Sequence, residues 1–395
     1  MKNQYTKMAI GLYINYFLLG MVNIILASNM ESLSKQLGTT AAGISYLVSA
    51  IGIGKLVSLA VAGRLSDKYG RKPFVVAASF IYLIFLIGIP LAPNYTLAFI
   101  FAVSAGIANS FLDSGTYPAL IEGFPKKASS ATVLVKAFVS IGATLLPFFI
   151  SFIVAKDLFY GYTFFLPAII YFINGFFLLK VAFPNHNQKD ADGTSGASAQ
   201  DQFKSQPKLW QEGLAIIILG FTSTALFVLV QVWLPKFGQE VLGMPEVQSV
   251  QLLSYYSIGA LVSVLLLAVL LNKVIKPVTV MIVYPAIALV SLLALLFIHQ
   301  PAVSVISSFV IGLSTAGVFQ LAMTVMAELF PANKGTITSF VNTAASLAFI
   351  LIPLVTGILS KSAGLTSVFM LDVGIAVISI LLALFIGYRY KQVMR

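Results

Sequence analysis

The sequence predicts an all-α membrane protein whose twelve transmembrane helices form two pseudo-symmetric six-helix bundles. Three observations predict this fold class. Only 9% of the 395 residues are charged and 59% are hydrophobic, so water cannot surround most of the folded chain. Twelve apolar runs are long enough to cross a bilayer, which takes about 20 residues per helix. Finally, the second half of the chain repeats features of the first half.

The apolar runs are interpreted as helices, because the spans of a β-barrel would be shorter and would alternate in polarity. The first run follows Lys2 and Lys7, as in a signal peptide, but its length and the span directly after it indicate an uncleaved helix. The runs lie at about residues 8–30, 42–62, 73–92, 96–120, 131–155, 162–183, 212–238, 249–271, 278–298, 302–328, 336–360 and 366–388.

One polar stretch divides the chain. It is rich in Ser, Gly, Asp and Gln, a composition typical of a flexible linker. The sequence therefore predicts an N-terminal six-helix bundle at 1–184, a cytoplasmic linker at 185–211 and a C-terminal six-helix bundle at 212–395.

The two predicted bundles share residues in register. Positions in the fourth and fifth spans recur at an offset of 206, and Gly54 of the second span recurs as Gly259. Parallel repeats related by an axis along the membrane normal are a known transporter plan, with the substrate site between the halves. The pairs at the offset of 206 are Gly106–Gly312, Glu122–Glu328, Phe124–Phe330, Pro125–Pro331 and Pro147–Pro353.

The net charge of +11 is explained by topology, without nucleic acid. If the N-terminus is cytoplasmic, 18 of the 24 Lys and Arg residues lie on the cytoplasmic side and four on the outer side. Lys55 and Lys136 lie inside spans. The sequence thus predicts a multi-pass protein of the cytoplasmic membrane, in contact with lipid, with both termini cytoplasmic, and a monomer is expected.

Enzymatic chemistry finds little support in the sequence. The absence of cysteine excludes disulfides and thiolate catalysis, and the only histidines, His186 and His299, are predicted on opposite sides of the membrane. Neither a zinc-protease motif nor a nucleotide-binding motif is present. We therefore expect no enzyme, no metal and no cofactor, and a driving force supplied by an ion gradient. A non-transporting sensor is less favoured, because the polar stretches between the spans are short.

The loop after the second span carries a motif. Residues 63–72 read GRLSDKYGRK, in which Gly63 would allow close helix packing and Gly70 would permit a tight turn. This resembles the Gly-x-x-x-Asp-(Arg/Lys)-x-Gly-Arg-(Lys/Arg) signature of the major facilitator superfamily, at the place where that superfamily carries it. The resemblance extends to the twelve spans, the repeat and the central linker.

The resemblance implies a conformational latch. In proteins of this kind the Asp of the motif, here Asp67, lies by the N-terminus of helix eleven, where the helix dipole favours a negative charge in the outward-facing state. Arg71 and Glu122 are expected in the same cluster. The simpler interpretation, solvated loop charges, is favoured for Lys68 and Lys72.

The family branch is indicated by helix four. The Gly-Pro-x-x-Gly-Gly run typical of proton-linked drug antiporters is absent from helix five. Asp113, followed five residues later by Pro118, is similar to helix four of the fucose–proton symporter branch, where a carboxylate takes part in proton coupling. That branch's second carboxylate would fall at Ala27, and Glu31, one turn further out, is a candidate replacement.

Charges inside spans are candidate functional groups, because each is costly unless it is paired or faces a cavity. Asp113 shares one helical stripe with Asn109 and Tyr117 and is the principal candidate for proton coupling. Lys55, at a similar depth, could pair with Asp113 or contact an anionic substrate. Lys136 is interpreted as reaching for the interface and Asp372 as structural.

The predicted function is proton-coupled secondary transport of a small organic solute by alternating access, with symport favoured. The alternative is a proton-driven exporter of a drug, metabolite or lipid-linked substrate, including a flippase. Polar and aromatic residues on the helices that line the cavity in this family are the candidate substrate-binding residues: Asn23, Asn109, Tyr117, Thr224, Phe227, Gln231 and Gln320.

Overall fold

The computed structural model describes residues 4–184, 204–271, 275–330 and 334–394. Within them eleven helices are long and apolar enough to cross a membrane, and the last is bent at Gly364 into two, which confirms the predicted twelve-span fold. The helices are α1 (Thr6–Ser28), α2 (Met30–Leu37), α3 (Ala41–Tyr69), α4 (Arg71–Leu91), α5 (Tyr95–Gly123), α6 (Ala128–Ala155), α7 (Tyr162–Lys180), α8 (Leu214–Glu240), α9 (Glu246–Leu270), α10 (Pro277–Phe297), α11 (Pro301–Thr315), α12 (Val318–Leu329) and α13 (Lys334–Val393).

Two boundaries differ from the sequence prediction. The run at 302–328 is broken into α11 and α12, because Gly317 adopts a φ of 99° that interrupts the helix. A π-helical turn at Leu209–Gly213 precedes α8, so helical structure begins three residues before the predicted start of the second bundle at residue 212. Residues 185–203 of the linker lie outside the described ranges, and the predicted domain limits stay a prediction.

The repeated glycines mark helix crossings. A Cβ at Gly54 of α3 would lie 2.1 Å from the Val103 carbonyl oxygen of α5, and a Cβ at Gly106 would lie 2.0 Å from that of Ile51. In the second half Gly259 and Gly312 make the same crossing between α9 and α11, with distances of 2.0 and 1.9 Å. The repeat therefore preserves two points of direct contact between helix backbones, which only glycine permits.

The halves meet at the end of the bundle away from the chain termini, here called the far end. Across this boundary four serine hydroxyls in the described ranges donate to main-chain carbonyls of the other half. These bonds join α3 to α13 and α6 to α9. They are Ser45 to Pro353 (2.9 Å), Ser49 to Ile350 (2.8 Å), Ser151 to Val247 (3.3 Å) and Ser254 to Thr144 (2.8 Å).

Toward the end that carries both termini, the termini end, the halves separate. The stripe of α3 that begins with Ser45 and Ser49 continues through Ala60, which is exposed. The facing stripe of α13 continues to Asn342, which is exposed as well. The molecule is thus closed at the far end and open at the termini end.

Candidate functional site

Asp113 lies at the centre of a polar cluster inside the first bundle. Its Oδ2 accepts a hydrogen bond from Lys55 Nζ at 2.9 Å, and its Oδ1 accepts one from the Tyr16 hydroxyl at 2.6 Å. Lys55 Nζ also donates to Asn109 Oδ1 at 3.1 Å. We call Tyr16, Lys55, Asn109 and Asp113 the Asp113 cluster. It joins α1, α3 and α5 through one carboxylate.

The glycine crossing between α3 and α5 positions this cluster. Lys55 follows Gly54 directly, and Asn109 and Asp113 follow Gly106 at spacings that keep them on one face of α5. Asp113 lies ten residues before the end of α5, about 15 Å along the helix axis. The side chains of Lys55 and Asp113 remain 30% and 23% exposed, so protein does not fully enclose them in this conformation.

Further titratable groups surround Asp113, from its own helix and from neighbouring helices. The Tyr117 ring packs edge-on against the Tyr16 ring, with centroids 5.8 Å apart. Tyr82 of α4 and Lys136 of α6 are also close enough to interact electrostatically with the carboxylate. Lys136 is therefore within electrostatic range of the cluster, whereas the sequence predicts that it reaches for the membrane interface. This part of the bundle holds two ammonium groups and one carboxylate.

The motif of the predicted latch forms an ion-pair network at the termini end. Arg71 pairs with Asp67 one turn earlier and with Glu122 Oε1 at 3.0 Å. Gly70 adopts a φ of 91° between α3 and α4, which explains the glycine at the turn. Asp67 remains 72% exposed. The structure thus brings Asp67, Arg71 and Glu122 together, as the motif led us to expect.

Gly63 corrects one expectation. A Cβ built at this position would meet no described atom within 4 Å, so the close helix packing expected at Gly63 is absent from this conformation. The physical reason is the separation of α3 and α13 at the termini end.

The candidate substrate residues of the first half differ in accessibility. Asn23 is exposed, although most of α1 around it is buried. Asn109 is nearly buried and already bonded to Lys55, while Tyr117 is half-buried against Tyr16. Asn23 is therefore the freest of the three for a new contact.

The candidates of the second half are mostly occupied by their own bundle. The Thr224 hydroxyl donates to the Gly220 carbonyl, and Gln231 is buried. The carbonyl of Phe227 accepts a hydrogen bond from the Tyr256 hydroxyl at 3.2 Å. Gln320 of α12, by contrast, is exposed directly after the Gly317 break.

Glu31 lies apart from the Asp113 cluster, in the short helix α2 at the far end. It forms an ion pair with Lys35 at 2.8 Å, and this hydrogen bond raises the pKa of Lys35 above its usual value. Together with Lys236, Glu240 and Lys361 these residues line a cavity of about 420 Å³ between the two halves. The structure therefore does not bring the predicted coupling residues Glu31 and Asp113 together.

Sequence reasoning missed several polar residues of the site and its surroundings. The role of Tyr16 as a donor to Asp113 depends on the packing of α1 against α5, which no local pattern encodes. The serines that close the far end did leave a signal, because Ser49 and Ser254 each precede a repeated glycine by five residues. Asp372, which the sequence predicts to be structural, is fully buried, and neither of its carboxylate oxygens has a partner among the described residues. No group of metal-ligating side chains occurs in the described ranges.

Comparisons with known proteins agree with this architecture. The family model described as Major Facilitator Superfamily matches residues 12–313 and 277–393. The chain is 54% identical to the uncharacterized MFS-type transporter YfkL of Bacillus subtilis (strain 168), over 98% of this chain and 97% of that protein. It is 39% identical to the inner membrane transport protein YdiN of Escherichia coli (strain K12), over 97% of this chain and 90% of that protein.

Solved structures share the fold at low sequence identity. The crystal structure of a D-xylose–proton symporter superposes with a TM-score of 0.77 at 15% identity, covering 97% of both chains. A bacterial homolog of the human lysosomal transporter Spinster, in an inward-facing and occupied conformation, superposes with a TM-score of 0.72 at 13% identity, covering 99% of this chain and 98% of that one.

Proposed function

This chain belongs to the major facilitator superfamily, and we propose that it is a proton-coupled symporter of a small organic solute. As a member of that family it is a multi-pass membrane transporter and not an enzyme. Beyond family membership, we propose that protons are the coupling ion and that proton and solute move in the same direction. We also propose that transport occurs by alternating access and that one chain is the functional unit.

The contact that carries the proposal is the pair of hydrogen bonds to Asp113. Lys55 and Tyr16 both donate to this carboxylate, an arrangement suited to its charged form, which only accepts. Protonation would cancel the ion pair and convert one carboxylate oxygen into a donor. The three side chains come from α1, α3 and α5. Loss of these bonds would therefore remove the side-chain contacts through which Asp113 joins α5 to α1 and to α3. Asp113 is thus the proposed proton carrier, with Lys55 as its switchable partner.

The latch residues support an alternating-access cycle. The far end is closed by serine hydroxyls, whereas Asp67 is exposed at the open termini end. If the termini are cytoplasmic, this conformation faces inward. In the outward-facing state Asp67 would contact the N-terminus of α13, whose first segment is the eleventh span. In that state α13 would also pack close to Gly63. The exposed Asn23 and Gln320 are the proposed first contacts of a solute entering from the termini end.

The proposal is tested in proteoliposomes that contain a trapped pH dye. Inward gradients of lactate, gluconate, glucose and tetraphenylphosphonium are applied in turn, and the proton movement that accompanies each is recorded. A symporter acidifies the lumen when its solute enters, whereas an exporter working by antiport makes the lumen more alkaline. Asp113→Asn is expected to abolish the proton movement but to spare exchange of labelled solute across the membrane.

The matched control is Asp157→Asn. Asp157 lies exposed in the turn after α6 with a φ of 51°, a conformation that Asn tolerates well. This variant should transport like the wild type. Normal proton-driven accumulation in Asp113→Asn would contradict the coupling role.

A further inference from the structure

The cavity at the far end, here called the far-end cavity, has walls from both halves of the molecule. Its volume of about 420 Å³ lies within the range of about 300–1,000 Å³ that is usual for small-molecule sites. The first half contributes α2 and the start of α3, and the second half contributes the end of α8 and the bend in α13. Because the walls belong to different halves, the cavity has this shape only while the far end is closed.

The lining of the far-end cavity is charged and rich in hydroxyl groups. Glu31 pairs with Lys35 at 2.8 Å on the first wall, and Lys236 pairs with Glu240 at 3.0 Å on the second. Each of these ion pairs lies within one helix, so neither joins the two walls. The lining therefore suits a hydrophilic ligand better than an apolar one. Its hydroxyl groups belong to Ser34, Thr39, Thr40 and Ser360.

Lys361 is the lining charge that lacks a carboxylate. It forms no ion pair within the described ranges, whereas both other lining lysines do. Its ammonium group lies 6.0 Å from the ring centroid of Tyr46, which belongs to the other half. Glu246, at the start of α9, is in electrostatic range of Glu31, Lys35 and Lys236 but does not line the cavity. An anionic group in the cavity would thus find an ammonium group that no carboxylate holds.

The position of Lys361 depends on the closed far end. Tyr46 directly follows Ser45, whose hydroxyl donates to the Pro353 carbonyl across the boundary at 2.9 Å. A Cβ at Gly357, one turn before Lys361, would lie 2.6 Å from Cε1 of Tyr46, so α13 rests directly on this ring. Opening of the far end would break these contacts and withdraw Lys361 from the first wall.

We propose that the far-end cavity binds a small hydrophilic organic anion, such as a hydroxy acid or a sugar acid. Its carboxylate would pair with Lys361, and its hydroxyl groups would bond to the serine and threonine side chains of the two walls. A hydrogen bond between an ammonium group and a carboxylate is about twice as strong as one between neutral groups, so Lys361 should supply the largest single contact.

Such a ligand would inhibit transport without occupying the Asp113 cluster. A ligand that binds only one of two conformations shifts the population toward that conformation. An anion in the far-end cavity would therefore hold the far end closed. The binding is independent of the coupling ion, whereas the inhibition rests on the alternating access in the proposed function.

The test uses the tryptophan that borders the cavity. The chain has two tryptophans, and Trp210 is 84% exposed, so Trp210→Phe leaves the cavity residue Trp233 as the single fluorophore. Gluconate and lactate are titrated into this purified full-length protein beside the neutral sorbitol and lactamide. At least one of the two anions is expected to change the fluorescence saturably, with a lower Kd than either neutral compound.

Substitutions of Lys361 test the assigned contact. Lys361→Met should weaken anion binding about tenfold or more, and Lys361→Arg should retain it. Lys156→Met is the matched control, because it removes an exposed lysine after α6 that does not line the cavity. If neither anion binds better than the neutral compounds, or if Lys361→Met binds as well as Lys361→Arg, the proposed site is overturned.

Two further variants separate this site from the proposed function. Ser49→Ala with Ser254→Ala should weaken anion binding severalfold, because fewer molecules then have a closed far end. An unchanged Kd in that variant would overturn the inhibitory role. Asp113→Asn should bind the anion like the wild type, whatever its effect on proton coupling. Binding that is lost in Asp113→Asn but kept in Lys361→Met would locate the anion in the Asp113 cluster and overturn the far-end site.

Discussion

The hydroxyl of Ser49 donates to the main-chain carbonyl of Ile350 across the boundary between the halves, at 2.8 Å. Ser254 makes the corresponding bond to Thr144, also at 2.8 Å. The two donors are 205 residues apart and the two acceptors 206, so the internal repeat relates one bond to the other. The repeat thus supplies two of the four serine hydrogen bonds that close the far end.

Removing this pair of contacts should open the far end. We expect Ser49→Ala with Ser254→Ala to shift the molecule toward the conformation that is open there by about thirtyfold, because each of the two hydrogen bonds contributes about 1 kcal/mol. The chain contains no cysteine, so Ala42→Cys, which lines the far-end cavity, provides a single labelling site. The measurement is the rate of maleimide labelling of that cysteine by a membrane-impermeant reagent.

The control for this experiment is Ser58→Ala, since the Ser58 hydroxyl bonds to the Gly54 carbonyl within its own helix. It should leave the labelling rate unchanged. Equal labelling in the double variant and the wild type would show that these serines do not hold the far end closed.

Gly106 should tolerate no side chain. A Cβ at this position would lie 2.0 Å from the Ile51 carbonyl oxygen, so Gly106→Ala must push α3 and α5 apart. We expect a loss of about 1–3 kcal/mol in the free energy of unfolding, seen as a lower Tm of the purified protein. Gly374→Ala is the matched control, because a Cβ there meets no described atom within 4 Å. Similar Tm values for both variants would contradict this account of the crossing.

Parts of this architecture could be read from the sequence because they depend on local composition or on the repeat. The apolar runs predicted the spans, and the repeated Gly54 and Gly106 predicted positions that both halves need. The equal depth of Lys55 and Asp113 made their ion pair one of two alternatives, and the structure forms that pair.

Other features could not be read in this way. The Tyr16–Asp113 bond joins residues 97 positions apart and exists only through the packing of two helices. The direction of the Lys136 side chain does not follow from the sequence, because a lysine near a helix end can extend toward water or inward, and only the position of α6 decides between them. The close packing expected at Gly63 would form only in a conformation whose termini end is closed. The sequence has to be compatible with both conformations of the transport cycle, and the structure shows only the one that is open at that end.

Asp67→Asn should slow transport without changing which solutes compete. In the conformation described here Asp67 is exposed and bonded to Arg71, so its loss should leave the open termini end nearly unaffected. In the closed state the same change would remove the proposed contact with the N-terminus of α13. The measurement is the initial rate of counterflow in proteoliposomes, with Lys68→Gln as a control in the same loop. A normal rate in Asp67→Asn would remove the basis for the latch.

Arg389 should stabilise the second bundle. Its guanidinium binds Glu212 Oε1, with Nε at 2.7 Å, and the Glu212 side chain is fully buried. Arg389→Met leaves that carboxylate with the main-chain N–H of Lys208 but without its charged partner, which should cost about 1–3 kcal/mol of stability. Adding Glu212→Gln should recover most of the lost Tm. If the double variant is no more stable than Arg389→Met, the buried charge is not the cause.

The break at Gly317 divides one transmembrane span into two rods with different neighbours. α11 packs on α9 and α10, whereas α12 packs on α8, α10 and α13. A continuous rod such as α5, which carries Asp113, passes a tilt along its whole length. The divided span has a joint at Gly317. We expect α12, which carries Gln320, to rotate about this joint while α11 stays packed against α9 at the Gly259–Gly312 crossing. In the first bundle the charged residues would then move as one unit with α5. In the second bundle α12 would adjust its position around the bound solute.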